Sequence, residues 1–301
     1  RTLDNQRDKK ITAAVISFIS CGAKLPIYAL FTAIFFVENQ ALVILGLYVL
    51  GIVMAMGWGV MLNRTIYRGD HSSFIMELPP YRLPTGRMVW NSIKLRIRMF
   101  VKRAGTVITS VVIVIWALSS LPYGVDSDRS LLAQSSKMIS PIFYPQGFGQ
   151  SWQATASVIP GFLAKEAVVG ALITTYAVEE ESDSDAGVSL VESTMDQGRS
   201  LVEALLNSIR AMVSGVVPGV FLVDDDEQSP LFDRIRNDLT PLSALSYMVF
   251  NLLLVSCVAV MGAMTQEFGT RFLWMVLGLT TGTAYVMSMV VFMVGRLLGF
   301  S

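Results

Sequence analysis

The chain of 301 residues is 53% hydrophobic and 15% charged, and its 23 Lys and Arg balance 23 Asp and Glu to a formal net charge of zero. A soluble domain carries about a quarter charged residues, so a mean hydropathy of +0.56 excludes an ordinary soluble domain and points to an integral membrane protein. The balanced charge excludes bulk attraction to nucleic acid, and two cysteines, Cys21 and Cys257, both in apolar stretches, make no disulfide framework.

The chain opens at Arg1, without initiator Met or signal peptide, on a charged stretch that runs straight into an apolar one; this is the pattern expected of the middle of a longer protein. The first expected span, 11–37, is interrupted only by Lys24 and Pro26, and a turn of Glu38-Asn39-Gln40 leads into a charge-free stretch at 41–63. Segment 87–103 is basic and sets Val89, Ile93, Ile97 and Phe100 on one stripe at helical spacing, which predicts a helix at the cytoplasmic interface. Charge-free 104–123 is the next span, followed by a loop at 124–150. Within 151–177, Pro160-Gly161 interrupts the middle and Lys165-Glu166 lies beyond, which predicts a hairpin that dips into the membrane and returns. The region 178–240 is acidic, with Glu179-Glu180-Glu181 and Asp224-Asp225-Asp226-Glu227. Its part 179–198 reads as flexible, and 201–223 reads either as an external surface helix or as a second shallow element. Charge-free stretches at 241–266 and 272–295, with a turn at 265–271, complete the chain. Each charge-free stretch provides the ~20 residues that cross a bilayer. The distribution of Lys and Arg puts the basic flanks in the cytoplasm and 178–240 outside.

The two cysteines sit in near-matching words, Ser20-Cys21-Gly22-Ala23 and Ser256-Cys257-Val258-Ala259. Small, polar-edged words at membrane depth, used twice and far apart, are what a duplicated transporter half with broken helices leaves in a sequence. A thiolate is also a soft ligand for a transition metal. The plain alternative is that Ser, Cys, Gly and Ala let helices pack closely.

Four words carry a family resemblance. They are Arg1-Thr2-Leu3-Asp4-Asn5-Gln6-Arg7-Asp8-Lys9; Ser20-Cys21-Gly22-Ala23-Lys24-Leu25-Pro26-Ile27-Tyr28-Ala29-Leu30-Phe31; Met76-Glu77-Leu78-Pro79-Pro80-Tyr81-Arg82-Leu83-Pro84; and Trp152-Gln153-Ala154-Thr155 leading to Leu163-Ala164-Lys165-Glu166-Ala167-Val168-Val169-Gly170. In order and spacing they resemble the membrane domain of the bacterial ferrous iron transport protein B family, FeoB, over nearly the whole chain. The resemblance implies an all-α integral membrane fold: a polytopic helical bundle with two inverted Gate-type repeats, broken helices and a re-entrant hairpin. It divides the chain into part of the first Gate module (1–63), a cytoplasmic loop with the interfacial helix (64–103), a transmembrane helix (104–123) and an external loop (124–150). The re-entrant hairpin of the second Gate module (151–177), the acidic external region (178–240) and two further spans (241–301) follow.

The implied function is that of the membrane permease portion of a ferrous iron (Fe2+) uptake transporter of the bacterial inner membrane, controlled by a GTP-binding domain. That domain, with its GTP and Mg2+, is expected outside this chain, which holds no G-x-x-x-x-G-K-[ST] phosphate loop and is not expected to be an enzyme. Membrane helices before Arg1 and a last helix after Ser301 are expected as well. The implied partners are ferrous iron, lipid, the GTP-binding domain, the small cytoplasmic proteins FeoA and FeoC, and a second copy of the chain. Where the family often has Pro before its second cysteine, this chain has Ser256, which weakens the expected helix break near Cys257.

The resemblance and the residue chemistry together mark Ser20, Cys21, Glu166, Ser256 and Cys257 as the transport path, with Cys21, Cys257 and Glu166 as metal ligands. Mixed thiolate and carboxylate donors suit ferrous iron, and ionisable groups at membrane depth default to function. Lys24 reads as structural or gating, since a bare ammonium repels a cation. Lys165 reads as a solvated marker of the hairpin mouth. Cys257, Met261 and Met264 share a helix face, which reads as packing, and His71 reads as solvated. The alternatives are a Gate-type transporter of another metal, or of a small polar solute such as a nucleoside with Asn251 and Gln153 as hydrogen-bonding groups. An intramembrane enzyme would need a Ser/His pair, an H-E-x-x-H word or paired Asp in the spans, and none is there.

Overall fold

Asn5 caps the first helix, its side-chain oxygen accepting from the Arg7 N–H at 3.1 Å, which satisfies one of the orphan donors of the first turn. In this computed structural model, residues 5–67, 85–95, 97–98, 130–163, 165, 168–172, 175–176, 230–254 and 258–299 are described, with single positions at 106, 110, 113 and 118. Among the described residues every regular element is helical and there is no strand.

Helix α1 (Gln6–Val15) tightens into a 3-10 turn at Ile16–Phe18 and then stops. Ile19 is extended at φ −72°, ψ 135°, and Cys21 at φ −111°, ψ 164°. A second 3-10 turn, Gly22–Lys24, restarts the chain as α2 (Leu25–Phe35) with Pro26 in the first turn, where its missing N–H costs nothing. The first expected span is therefore two half-helices joined by an unwound break. The turn Val37–Asn39 then leads into α3 (Gln40–Thr65), close to the turn read at 38–40. The expected interfacial helix is helical at 86–95 and 97–98, and exposed there; the rest of it and most of 104–123 lie outside the described residues.

The loop expected at 124–150 is corrected over 130–150. Ser130 accepts from the Ala133 N–H at 3.1 Å and starts α4 (Leu131–Phe143). Its buried stripe is Ala133, Ser136, Ser140 and Phe143, at helical spacing but mostly small and polar, so hydropathy does not reveal it. Gly147 then turns the chain at φ 85°, and a Cβ there would come within 2.1 Å of the Phe292 ring; only glycine meets both demands. The interruption expected at Pro160-Gly161 is also displaced. Helix α5 (Trp152–Leu163) contains Pro160 and runs on to Leu163. The chain turns at Lys165 and is helical again at 168–172. Gly161 serves close packing: a Cβ there would lie 3.0 Å from Val168 Cγ2.

Helix α6 (Pro230–Asp238) buries Ile235, and Leu239 just beyond it, in the core. The end of the acidic region is thus packed protein. Thr240 then caps α7 (Pro241–Leu253), accepting from the Ser243 N–H at 3.2 Å. From Leu242 to Leu253 every α7 residue except half-buried Leu245 is buried, as expected of a helix at the centre of a bundle. Phe31, Phe143, Phe148 and Phe250 gather around it with Tyr247, at ring separations of 5.1–5.7 Å. Leu254 then leaves the helical region at φ −56°, ψ 151°. The span expected at 241–266 is broken, and the break forms without the family's Pro. Helix resumes as α8 (Val258–Phe268) and, after Gly269 at φ 83°, as α9 (Thr270–Leu297). At Gly295 a Cβ would stand 2.2 Å from Leu242 Cδ1, so α9 lies tightly on α7.

Among the described residues, three helical segments are long and apolar enough to cross a membrane: Gln6–Phe35, Val37–Thr65 and Thr270–Leu297. Leu45, Val49, Ile52 and Met56 of α3, and Val286, Val290 and Met293 of α9, are exposed. Helices bond their own backbones and so tolerate hydrocarbon, which suits faces of this kind. The fold is all-α and that of a membrane protein.

Candidate functional site at two helix breaks

The two breaks meet through a pair of lysines. A helix leaves its last four carbonyls unbonded and carries about half a negative charge at that end. At the end of α7 these oxygens are satisfied by side chains. Lys24, from the first break, donates Nζ–H to Leu252 O at 2.8 Å and to Ile19 O at 3.2 Å. Lys165, from the turn after α5, donates to Asn251 O at 2.8 Å and to Leu254 O at 3.1 Å. Both lysines are 1% exposed, and both serve carbonyls of the last turn of α7. Bonds of a charged donor contribute about 1.5–3 kcal/mol each, which offsets part of the cost of dehydrating an ammonium. Lys165 is therefore no solvated hairpin mouth. Lys24 is tied into the fold by its two bonds, which both of its readings, structural and gating, allow.

The first break is shaped from outside by α3. A Cβ on Gly51 would stand 2.9 Å from Phe18 O and 3.9 Å from Ser20 Oγ, so glycine lets α3 press directly on the unwound backbone. Cys21 is exposed, its carbonyl accepts from the Lys24 N–H at 3.1 Å, and its thiol lies within electrostatic reach of the Lys24 ammonium. Ser20 Oγ and the Tyr28 hydroxyl, like Ser17 Oγ, are buried without a hydrogen bond among the described residues. The structure thus brings Ser20 and Cys21 to the break. Glu166, Ser256 and Cys257 lie outside the described residues. Among the described residues no three His, Cys, Asp or Glu gather into a group that could hold a metal.

A buried polar file runs along α7 beside the junction, and sequence reading found only part of it. Tyr247 OH and Ser157 Oγ are 2.5 Å apart, and Asn251 Nδ2 donates to Tyr247 O at 3.1 Å while its Oδ1 has no partner among the described residues. Ser151 Oγ lies 3.0 Å from Gln153 Oε1 and 3.2 Å from Tyr176 OH. Their hydrogen-bonding side chains marked Asn251 and Gln153; the tyrosines carried no signal beyond their aromatic bulk. Met264 packs with Ala14, Leu62, Phe272 and Val276 in a second apolar cluster, in agreement with its packing role.

Half-helices whose open ends meet inside the bundle define a broken-helix membrane protein of the kind transporters use. The chain belongs to the Gate family: the family model described as nucleoside recognition matches residues 101–271, more than half of it. A model described as ferrous iron transport protein B C terminus matches residues 44–96. The Fe(2+) transporter FeoB of Staphylococcus aureus strain COL is 35% identical over 301 residues, covering 99% of this chain and 38% of that protein. The Fe(2+) transporter FeoB of Salmonella typhimurium strain LT2 is 36% identical over 298 residues, covering 91% of this chain and 37% of its own. These matches bear out the resemblance carried by the four words. The chain spans little more than a third of the length of these relatives. No solved structure matches the chain.

Proposed function

We propose that this chain is the membrane permease portion of a ferrous iron uptake transporter of the bacterial inner membrane. The alignment of 99% of the chain with an Fe(2+) transporter carries the reading. Cys21, Cys257 and Glu166 hold the passing ion, and Ser20 and Ser256 line its path. Thiolates favour ferrous iron over Mg2+ and Ca2+, which take oxygen shells, and the carboxylate adds the negative charge. Two Gate modules of opposite orientation frame the path, 151–177 dips in as a hairpin, and 178–240 lies outside. GTP and Mg2+ act in a separate domain of the longer protein. FeoA, FeoC and a second copy are its partners.

The test is ferrous iron uptake into proteoliposomes by the full-length protein, with and without GTP. Cys21→Ser, Cys257→Ser and Glu166→Gln should each lower uptake at matched expression while GTP turnover persists. Unaltered uptake by the double cysteine variant would return both thiols to a packing role, and no iron uptake by the unaltered protein overturns the reading. Placement of 178–240 is tested separately with Asp183→Cys, which an impermeant thiol reagent should label from the periplasmic side. Labelling only after lysis sinks the hairpin topology. The nucleoside recognition described for the Gate family favours one second reading, a small polar solute bound through Asn251 and Gln153. Competition by nucleosides and by other divalent metals against iron uptake separates these alternatives.

A further inference from the structure

The carbonyl-lined junction between the breaks is filled by the chain itself. The oxygens of Ile19, Asn251, Leu252 and Leu254 all accept from Lys24 or Lys165. In membrane transporters, unwound carbonyls and the open C-terminal ends of half-helices are the groups that coordinate free small cations. An ammonium is itself a small cation with three donors, so these lysines stand where free ions stand elsewhere. Packing alone does not account for them. Burying ammonium groups is costly, and apolar side chains of similar volume often serve a fold as well or better.

We propose that Lys24 and Lys165 are tethered cations that close the junction to free cations and raise an electrostatic barrier at Cys21, a charge gate between the two helix breaks. The gate rests on the reading of the junction as an ion path. The two lysines are positioning residues: they hold the end of α7 against the first break and set the potential that an entering ion meets. A divalent cation approaching Cys21 is repelled until the clasp moves away from the carbonyls or the ion's own ligands compensate for it. For two unit charges about 6 Å apart in a water-like dielectric the encounter changes about threefold, and more in a drier site.

The experiment reads the charge at Cys21 without iron. The full-length protein in lipid vesicles, with Cys21 as its only cysteine, is treated with a cationic trimethylammonium-ethyl and an anionic sulfonatoethyl methanethiosulfonate. The ratio of the cationic to the anionic rate should be lower for Cys21 than for 2-mercaptoethanol, a neutral thiol in solution. Lys24→Gln, which keeps a donor without the charge, should raise the ratio about three- to tenfold, as should Lys24→Met and Lys165→Met. Lys24→Arg should leave it low. A clasp that only packs would change both rates together and leave the ratio where it was. That result overturns the proposal, as does a ratio in the unaltered protein equal to that of the free thiol, or no reaction at Cys21, which is exposed. A protein that shows the barrier yet moves no iron overturns the iron reading and leaves the gate standing.

Discussion

The two helix breaks share a word in the sequence and differ in construction. The first satisfies much of its own backbone: Ile19 N–H bonds to Ile16 O, Lys24 N–H bonds to Cys21 O, and α2 restarts at once. What it sends out is a side chain, the Lys24 ammonium. The second, at the end of α7, presents carbonyls at Asn251, Leu252 and Leu254 that side chains from elsewhere must serve. Between the two, the first break supplies a donor and the second its acceptor.

Four substitutions test this contrast, from the largest effect to the smallest. Gly51→Val puts a branched side chain where even a Cβ meets Phe18 O at 2.9 Å. Overpacking of this kind costs about 1–3 kcal/mol, so thermal unfolding in detergent should show a clear loss, and an unchanged midpoint would mean that α3 does not brace the first break. Tyr247→Phe acts on the acceptor side by removing the 2.5 Å contact with Ser157. The expected loss is about 1 kcal/mol, read in the same unfolding assay, and Ser157 retains its bond to Ala154 O. Asn251→Leu deletes a buried Oδ1 that has no partner among the described residues, together with the bond to Tyr247 O. The two losses oppose each other, so stability should stay within about 1 kcal/mol. A collapse would show that Oδ1 has an essential partner after all. Gly22→Ala, with nothing within 4 Å of a new Cβ and no positive φ, should be neutral or stabilise by about 0.4–1 kcal/mol. A large loss there would show that the donor break is tighter than described.

Much of the architecture was legible because it is written locally. Runs of apolar residues gave the long helices, the polar triplet after Val37 gave the turn, and Ser-Cys-Gly-Ala with Lys24 and Pro26 following gave the first break. What escaped depends on partners far along the chain. Nothing next to Lys165 says that it is buried, because its acceptors are backbone oxygens of 251 and 254, and carbonyls leave no mark in a sequence. A usable hint was the shared Ala-Lys in Gly22-Ala23-Lys24 and Leu163-Ala164-Lys165. Pro160-Gly161 misled in the other direction. The pair is a strong local break signal, yet α5 continues through it, and Gly161 is needed for the approach of Val168. In 130–150 the buried stripe is rich in Ser and Ala, so a hydropathy reading sees a loop where packing has made a helix.

The shortness of α7 has an electrical consequence. Its 13 residues give a length of about 20 Å at 1.5 Å per residue, against about 30 Å of hydrocarbon. A helix of that length beginning at one interface ends roughly two-thirds of the way across. On the proposed topology, in which α7 starts at the outer interface, the lysine-filled junction sits within the membrane voltage rather than beside it. Moving one elementary charge through the full potential is worth about 2.3 kcal/mol per 100 mV, and a divalent ion takes up twice that work over the same fraction of the drop. On that topology any cation that enters or leaves this junction, tethered or free, is coupled to the membrane potential by position alone.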